Sequence, residues 1–273
     1  MNNCARKPVN KRYITGLILI IAAVGTVYYL PDELFLYFVM LVAYFTFREY
    51  TVMMLKQTDW RLMPVGILVM LTVYAMTHNQ ALAVLLLFGS AIVLPMLALF
   101  GKESIEKKWL FALTQTAGFF YLTIPFSLFP LLRSDEVTPH HWLMFALVVP
   151  WLCDSAAYFS GRFFGKHKFA PHISPNKTWE GAVGGLLIGT ISGIIWSLTV
   201  FEGKYLLFSA LTAAAISLFG QLGDLVESLL KRGAGVKDSG TLFPGHGGLL
   251  DRTDSLLYSV SVTWLALQVM KFL

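Results

Sequence analysis

The sequence predicts an all-α, polytopic integral membrane protein with about nine transmembrane helices, N-terminus inside and C-terminus outside. Three observations predict it. Of 273 residues, 56% are hydrophobic and only 14% charged, whereas soluble domains carry roughly 25% charged residues. The apolar residues fall in runs near the roughly 20 residues that a bilayer core demands of a helix. The Lys and Arg residues alternate from loop to loop as the positive-inside rule requires. One soluble core could not hide this much apolar surface, so a soluble enzyme is excluded, as are a disordered chain, collagen and a disulfide scaffold. Of the two cysteines, Cys4 lies in a basic leader and Cys153 in an apolar run, which argues against a structural disulfide.

The runs, in order, are Tyr13–Leu30, Leu34–Phe47, Leu62–Thr77, Ala81–Phe100, Trp109–Leu132, Trp142–Ser160, Gly181–Phe201, Tyr205–Leu230 and Asp254–Leu273. The second and third are short. The first has no small-residue cleavage site and runs on to Leu30 before Pro31, so it reads as a helix and not as a cleaved signal peptide. With the N-terminus inside, the leader holds Arg6, Lys7, Lys11 and Arg12, and later inner loops hold the other basic clusters. Only Arg133, Lys204 and Lys271 of the 21 Lys and Arg residues fall outside. The net charge of +5 is therefore positive-inside bias, and nucleic acid is not needed as a partner. The basic loops are expected on the cytoplasmic face of the membrane.

The chain reads as one membrane domain with two halves. Residues 1–141 are apolar helices with short loops, a scaffold. In residues 142–273 carboxylates enter the helices and the inner loops fill with Gly, Pro, Lys and His. Charge at bilayer depth is costly and defaults to a functional hypothesis. Asp154, Asp224 and Glu227 qualify, and Asp254 sits at a helix edge. Helical periodicity puts Ser217, Gly220, Gln221, Asp224, Glu227, Ser228 and Lys231 on one polar stripe. Lipid cannot solvate such a stripe. It faces protein, water or ions; the plainer alternative is an interhelical seam, or Glu227 paired with Lys231 one turn on.

The last inner loop, from Lys231 to Asp254, mixes glycines, Lys231, Arg232, Lys237 and Arg252 with Asp251 and Asp254. Glycines let bare N–H groups reach an anion, Lys and Arg suit phosphate, and carboxylates suit Mg2+. The combination points to a metal-bridged polyphosphate; an ordinary basic hairpin explains the cations but not the His, Asp and Gly. A second loop ends Lys177-Thr178-Trp179-Glu180 just before a helix, whose N-terminus favours anions. Glu180 reads equally as a first-turn carboxylate complementing the dipole. His167 and His172 lack the further ligands a zinc site needs, and His140 and His141 carry no assigned role.

The run from Ser228 to Asp254 resembles the signature of phosphatidate cytidylyltransferases, also called CDP-diacylglycerol synthases. Ser228, Lys231, Arg232, Lys237, Asp238, Ser239, His246, Gly247, Gly248, Leu249, Asp251, Arg252 and Asp254 fill its pattern without a gap. Ser174-Pro175-Asn176-Lys177-Thr178-Trp179-Glu180-Gly181 is similar to the family's second element, with Asn176 where Lys is common. The resemblance covers about residues 150–258; before residue 140 it rests on length and hydropathy. It implies a helical membrane enzyme that joins CTP and phosphatidate into CDP-diacylglycerol and pyrophosphate. It implies Mg2+ held by Asp224 and Asp251, with a second, monovalent cation such as K+ also compatible, and often a homodimer. Glu227, Asp254 and Asp154 would be neighbouring carboxylates. Lys231, Arg232, Lys237, Arg252 and the N–H groups around His246, Gly247 and Gly248 would hold phosphates. Lys177 and Thr178 would bind lipid phosphate or triphosphate, and Ser228 would donate to a phosphate oxygen. The rival readings are a CTP-dependent polyprenol or phytol kinase, which would release CDP, and a cation-coupled transporter, which leaves the last inner loop unexplained. The Asp-x-x-Asp-Gly-x-x-Ala-Arg element of a CDP-alcohol phosphotransferase is absent from the sequence.

Overall fold

The structure is a computed structural model that describes residues 9–56, 60–134, 140–243 and 247–272. The described residues form nine α-helices, one short hairpin and a 3-10 turn at Ala98–Phe100: α1 (Val9–Tyr29), α2 (Asp32–Leu55), α3 (Leu62–His78), α4 (Gln80–Leu97), α5 (Ile105–Arg133), α6 (His141–Phe164), β1 (Lys168–Ala170), β2 (Ser174–Thr178), α7 (Trp179–Val200), α8 (Leu206–Gly233) and α9 (Leu250–Phe272). The chain is thus a helical polytopic membrane protein. Seven helices among the described residues are long and apolar enough to cross a membrane; the apolar part of α1, Ile20–Tyr29, and α3 are shorter.

Local chemistry explains most boundaries. Pro31 precedes α2, whose first turn carries Asp32 and Glu33 against the positive helix end. The Asn79 side chain caps α4 by accepting the Leu82 N–H at 3.0 Å. Thr178 does the same for α7, accepting the Gly181 N–H at 3.1 Å. Several boundaries differ from the sequence reading by a turn or more: α1 and α5 start a turn earlier, at Val9 and Ile105, and α6 ends a turn later, at Phe164. The short second run extends to Leu55, because Tyr50, Thr51 and Met53 beyond it are buried against the bundle. The last helix starts at Leu250, one turn before Asp254. The stretch read as loop before α7 forms the antiparallel hairpin β1–β2, pairing Lys168 with Thr178 and Ala170 with Ser174.

α6, α7, α8 and α9 pack in series, and α5 and α2 join them through α9 and through each other. α7 buries a face of small residues, Gly181, Gly185, Gly189, Ser192, Gly193 and Ser197. A Cβ on Gly185 would lie 3.0 Å from the Ala157 Cβ, and one on Gly189 would overlap the Ser217 hydroxyl. Small residues let helix backbones approach where water offers no hydrophobic drive. The opposite face of α7 presents Val183, Leu187, Ile188, Ile191, Ile195 and Leu198 outward, as a lipid-facing surface requires. At one end of the bundle, buried Arg133 donates to the Val27 carbonyl at 2.9 Å and to the Leu30 carbonyl, and pairs with Asp32 at 3.1 Å. That tie fixes α1 and α2 to α5. The polar groups considered next converge toward the other end.

Candidate functional site

The polar stripe of α8 meets three helices: Ser217 and Gln221 lie against α6 and α7, and Asp224 and Glu227 approach α9. One turn apart on α8, Asp224 and Glu227 bring their carboxylates to Asp254 of α9, and one oxygen of each lies within 4.8 Å of the others. Glu227 is fully buried. Apart from the Lys231 ammonium, with which Glu227 forms an ion pair, neither of its oxygens has a partner among the described residues. Three hard oxygen donors at this spacing, one of them buried and under-satisfied, fit a divalent cation.

Cations surround the triad. Lys177, at the end of β2, reaches the Asp224 carboxylate at 2.8 Å and the Gln221 carbonyl at 3.5 Å. Lys231 is shared: its Nζ pairs with Glu227 and lies 2.6 Å from Asp251 Oδ1. The plainer alternative of an i, i+4 pair is therefore present, as part of a larger network. The Ser228 hydroxyl lies 3.4 Å from Asp224 Oδ1, and the Ser255 hydroxyl 3.4 Å from Asp154.

Asp251 is the residue whose surroundings differ most from expectation. It was expected beside Asp224 as a metal ligand, yet it is not among the three clustered carboxylates. Its Oδ2 instead accepts the Ser239 N–H at 2.9 Å, the Ser239 hydroxyl at 2.8 Å and the Gly248 N–H at 2.8 Å. Lys231, which meets Asp251 Oδ1 at 2.6 Å and pairs with Glu227, ties Asp251 to the triad. The Gly248 N–H, expected to face phosphate, donates to Asp251 Oδ2. Gly247 adopts φ +78°, where a side chain would be strained, and its carbonyl accepts the Phe243 N–H at 2.9 Å. His246 lies outside the described residues.

The remaining expected residues divide. Arg232 donates to the Ile173 carbonyl at 3.2 Å and the Val236 carbonyl at 3.0 Å, bracing the hairpin and the end of α8. Thr178 is buried as the α7 cap. Lys237 and Arg252 are exposed. Glu180 accepts from His167 Nδ1 at 2.7 Å and holds the hairpin base, away from the triad. One residue was missed altogether. Glu49 of α2 accepts the Leu249 and Leu250 N–H groups at 2.9 and 3.0 Å and pairs with the Ser239 hydroxyl. The only sequence signal was the Arg48-Glu49 pair at the end of the second run, which reads as an inner loop.

A cavity of about 1370 Å³ opens onto this network. Its polar end is lined by Asp154, Lys177, Asp224, Lys231, Asp251, Arg252 and Asp254. Its other end is apolar and lies between α1, α2, α5 and α6, lined by Ile20, Val27, Phe38, Val42, Phe126 and Trp151 among others. The cavity therefore offers one amphipathic ligand both an ionic head site and an oily channel.

The pocket is acidic, lined by Lys177, Lys231 and Arg252, and set within a bundle of apolar helices. The family model described as "Cytidylyltransferase family" matches residues 10–270, and the chain belongs to that family. Among curated relatives, the phosphatidate cytidylyltransferase of Staphylococcus haemolyticus (strain JCSC1435) is 48% identical over 138 residues, 50% of this chain and 52% of that protein. That of Staphylococcus saprophyticus subsp. saprophyticus is 51% identical over 118 residues, 43% of this chain and 45% of the relative. That of Bacillus subtilis (strain 168) is 44% identical over 143 residues, covering 52% and 53%. The chain spans about half the length of the curated relatives it matches.

Proposed function

We propose that the chain condenses CTP with phosphatidate to give CDP-diacylglycerol and pyrophosphate. The observation that carries this reading is the cavity itself, whose lining joins apolar residues of α1, α2 and α5 to Asp224 and Asp254 of the triad, with Lys177, Lys231 and Arg252 beside them and Glu227 buried behind. A lipid with a phosphate head and a nucleoside triphosphate are the pair of ligands that such a cavity suits. The phosphatidate cytidylyltransferases of S. haemolyticus and B. subtilis support the choice of pair.

In this reading a phosphate oxygen of phosphatidate attacks the α-phosphorus of CTP, and the bond to pyrophosphate breaks. That oxygen is already ionised at neutral pH, so no general base is needed. The barrier lies in bringing two anions together, and catalysis falls on positioning and charge neutralisation. Asp224, Glu227 and Asp254 would hold Mg2+. When bound, Mg2+ supplies positive charge to phosphate oxygens. Arg252 and Lys237, exposed beside the cavity, hold the outer phosphates. Lys177, tethered by Asp224, meets the lipid phosphate at the mouth of the channel. Lys231 is fixed by Asp251 and Glu227 and presents its remaining N–H to substrate. Ser228 orients Asp224. The reading assigns Mg2+ to the triad, and a second, monovalent cation such as K+ is compatible with it.

The same reading places the protein in a bacterial cytoplasmic membrane with nine spans, N-terminus in and C-terminus out. α3, at 17 residues, is about 26 Å long at 1.5 Å per residue, just under a hydrocarbon core of roughly 30 Å. CTP then meets the lipid headgroup at the inner face. The test is purified chain in detergent with phosphatidate, Mg2+ and CTP labelled at either the α or the γ phosphorus. Label in lipid from the α position alone, with pyrophosphate released, is the expected result. Label in lipid from the γ position would make it a lipid kinase, and label in neither would end the reading.

A further inference from the structure

Glu49 belongs to α2, in the half of the chain that carries none of the signature, yet it sits inside the signature loop. Its carboxylate accepts the first-turn amides of α9, Leu249 N–H at 2.9 Å and Leu250 N–H at 3.0 Å, across about 200 residues of sequence. It also pairs with the Ser239 hydroxyl. Gly240 and Gly248 flank it so closely that a Cβ on Gly240 would lie 2.6 Å from Glu49 Oε2, and one on Gly248 would overlap the carboxylate. The helix N-terminus and the glycines, which in sequence look like a cradle for substrate phosphate, here enclose a carboxylate of the protein itself.

The contact does not stop at Glu49. Ser239 lies between two carboxylates, Glu49 on one side and Asp251 on the other, with 2.8 Å from its hydroxyl to Asp251. A hydroxyl has one proton, so it bonds one carboxylate while accepting elsewhere; the Asp251 N–H lies 3.3 Å from its oxygen. Asp251 in turn holds Lys231, and Lys231 pairs with Glu227 of the triad. An unbroken polar chain thus runs from α2 to the ion-type site.

We propose that Glu49 is a positioning residue for the reaction: it fixes the start of α9 and, through Ser239, the placement of Asp251 and Lys231 against the triad. A mere helix cap would affect stability alone, whereas a positioning residue alters turnover at unchanged nucleotide affinity and is coupled to Ser239. The turnover part of this inference rests on the function proposed above.

The test compares full-length wild type with Glu49→Gln, Ser239→Ala and the double variant, by steady-state kinetics and by hydrogen exchange at the Leu249 and Leu250 amides. Gln keeps the size of Glu but turns one acceptor into a donor facing donors. Glu49→Gln is expected to lower kcat at least ten-fold with KM for CTP within two-fold, and to speed exchange at both amides at least ten-fold. The double variant is expected to be no slower than the slower single one. A Glu49→Gln kcat within two-fold of wild type, unchanged amide exchange, or effects that multiply in the double variant would overturn the proposal. Should Glu49→Gln not fold, Ser239→Ala decides alone: lowered kcat at constant KM supports the relay, and a wild-type kcat refutes it. Wild type that forms no labelled lipid would sink the proposed reaction instead, and amide exchange would then decide the place of Glu49.

Discussion

A carboxylate taken fully out of water costs several kcal/mol unless a cation and hydrogen bonds compensate, and Glu227 has Lys231 alone. Removing that cation by Lys231→Ala is expected to destabilise the fold by about 3 kcal/mol or more, read as a lower Tm in detergent. Adding Glu227→Gln should recover much of that Tm without recovering turnover, since the buried charge disappears but the ligand set is lost. Asp254→Asn, which keeps shape and loses one charge of the triad, is expected to cut kcat by about 100-fold or more with Tm within a few degrees of wild type; near-normal turnover would remove Asp254 from the site. Asp224, Glu227 and Asp254 were legible in the sequence because a charged residue in an apolar run stands out. The stripe already set Asp224 beside Glu227, whereas the closeness of Asp254 to both depends on where α9 begins. That start is set by Glu49, a contact about 200 residues away for which no local pattern exists.

Among the elements, α7 shows most directly how a membrane helix is placed by what it lacks. Its glycine face lets α6 and α8 approach, and Ser217 and Cys153 fill the space that side chains would take. Gly189→Leu is therefore expected to cost about 1–3 kcal/mol by overpacking and to lower Tm. Gly25→Ala, where a Cβ meets nothing within 4 Å, should leave Tm unchanged. Equal effects from the two would show that close approach along α7 does not matter. Hydropathy was enough to locate every helix except the second to within about a turn at each end. It failed where burial is by protein instead of lipid. The second run was cut at Phe47, because Arg48, Glu49 and Lys56 lower the mean, although Tyr50 and Met53 beyond Phe47 are buried. The β1–β2 hairpin was invisible because its strands are too short and polar for any alternation to register.

Taken as a whole molecule, the chain uses its N-terminal half for more than support. α1, α2 and α5 wall the oily end of the cavity, and α2 supplies Glu49 to the signature loop. The cavity lining and the Glu49 contact both extend across the division expected at residue 141. The inside-out surface and the loop charges set the proposed orientation. With native cysteines replaced by serine, Lys204→Cys should react with a membrane-impermeant thiol reagent in intact cells, and Lys102→Cys only after permeabilisation; the reverse pattern would invert the topology and remove CTP from the site. The central claim is that the Asp224–Glu227–Asp254 triad holds a divalent ion at the head of a lipid channel. Mn2+ titration of the purified chain, followed by electron paramagnetic resonance in the absence of substrate, tests it most directly. The account predicts a bound-ion signal whose affinity falls at least ten-fold in Asp254→Asn and is unchanged in Glu180→Gln; wild-type affinity in Asp254→Asn would contradict it.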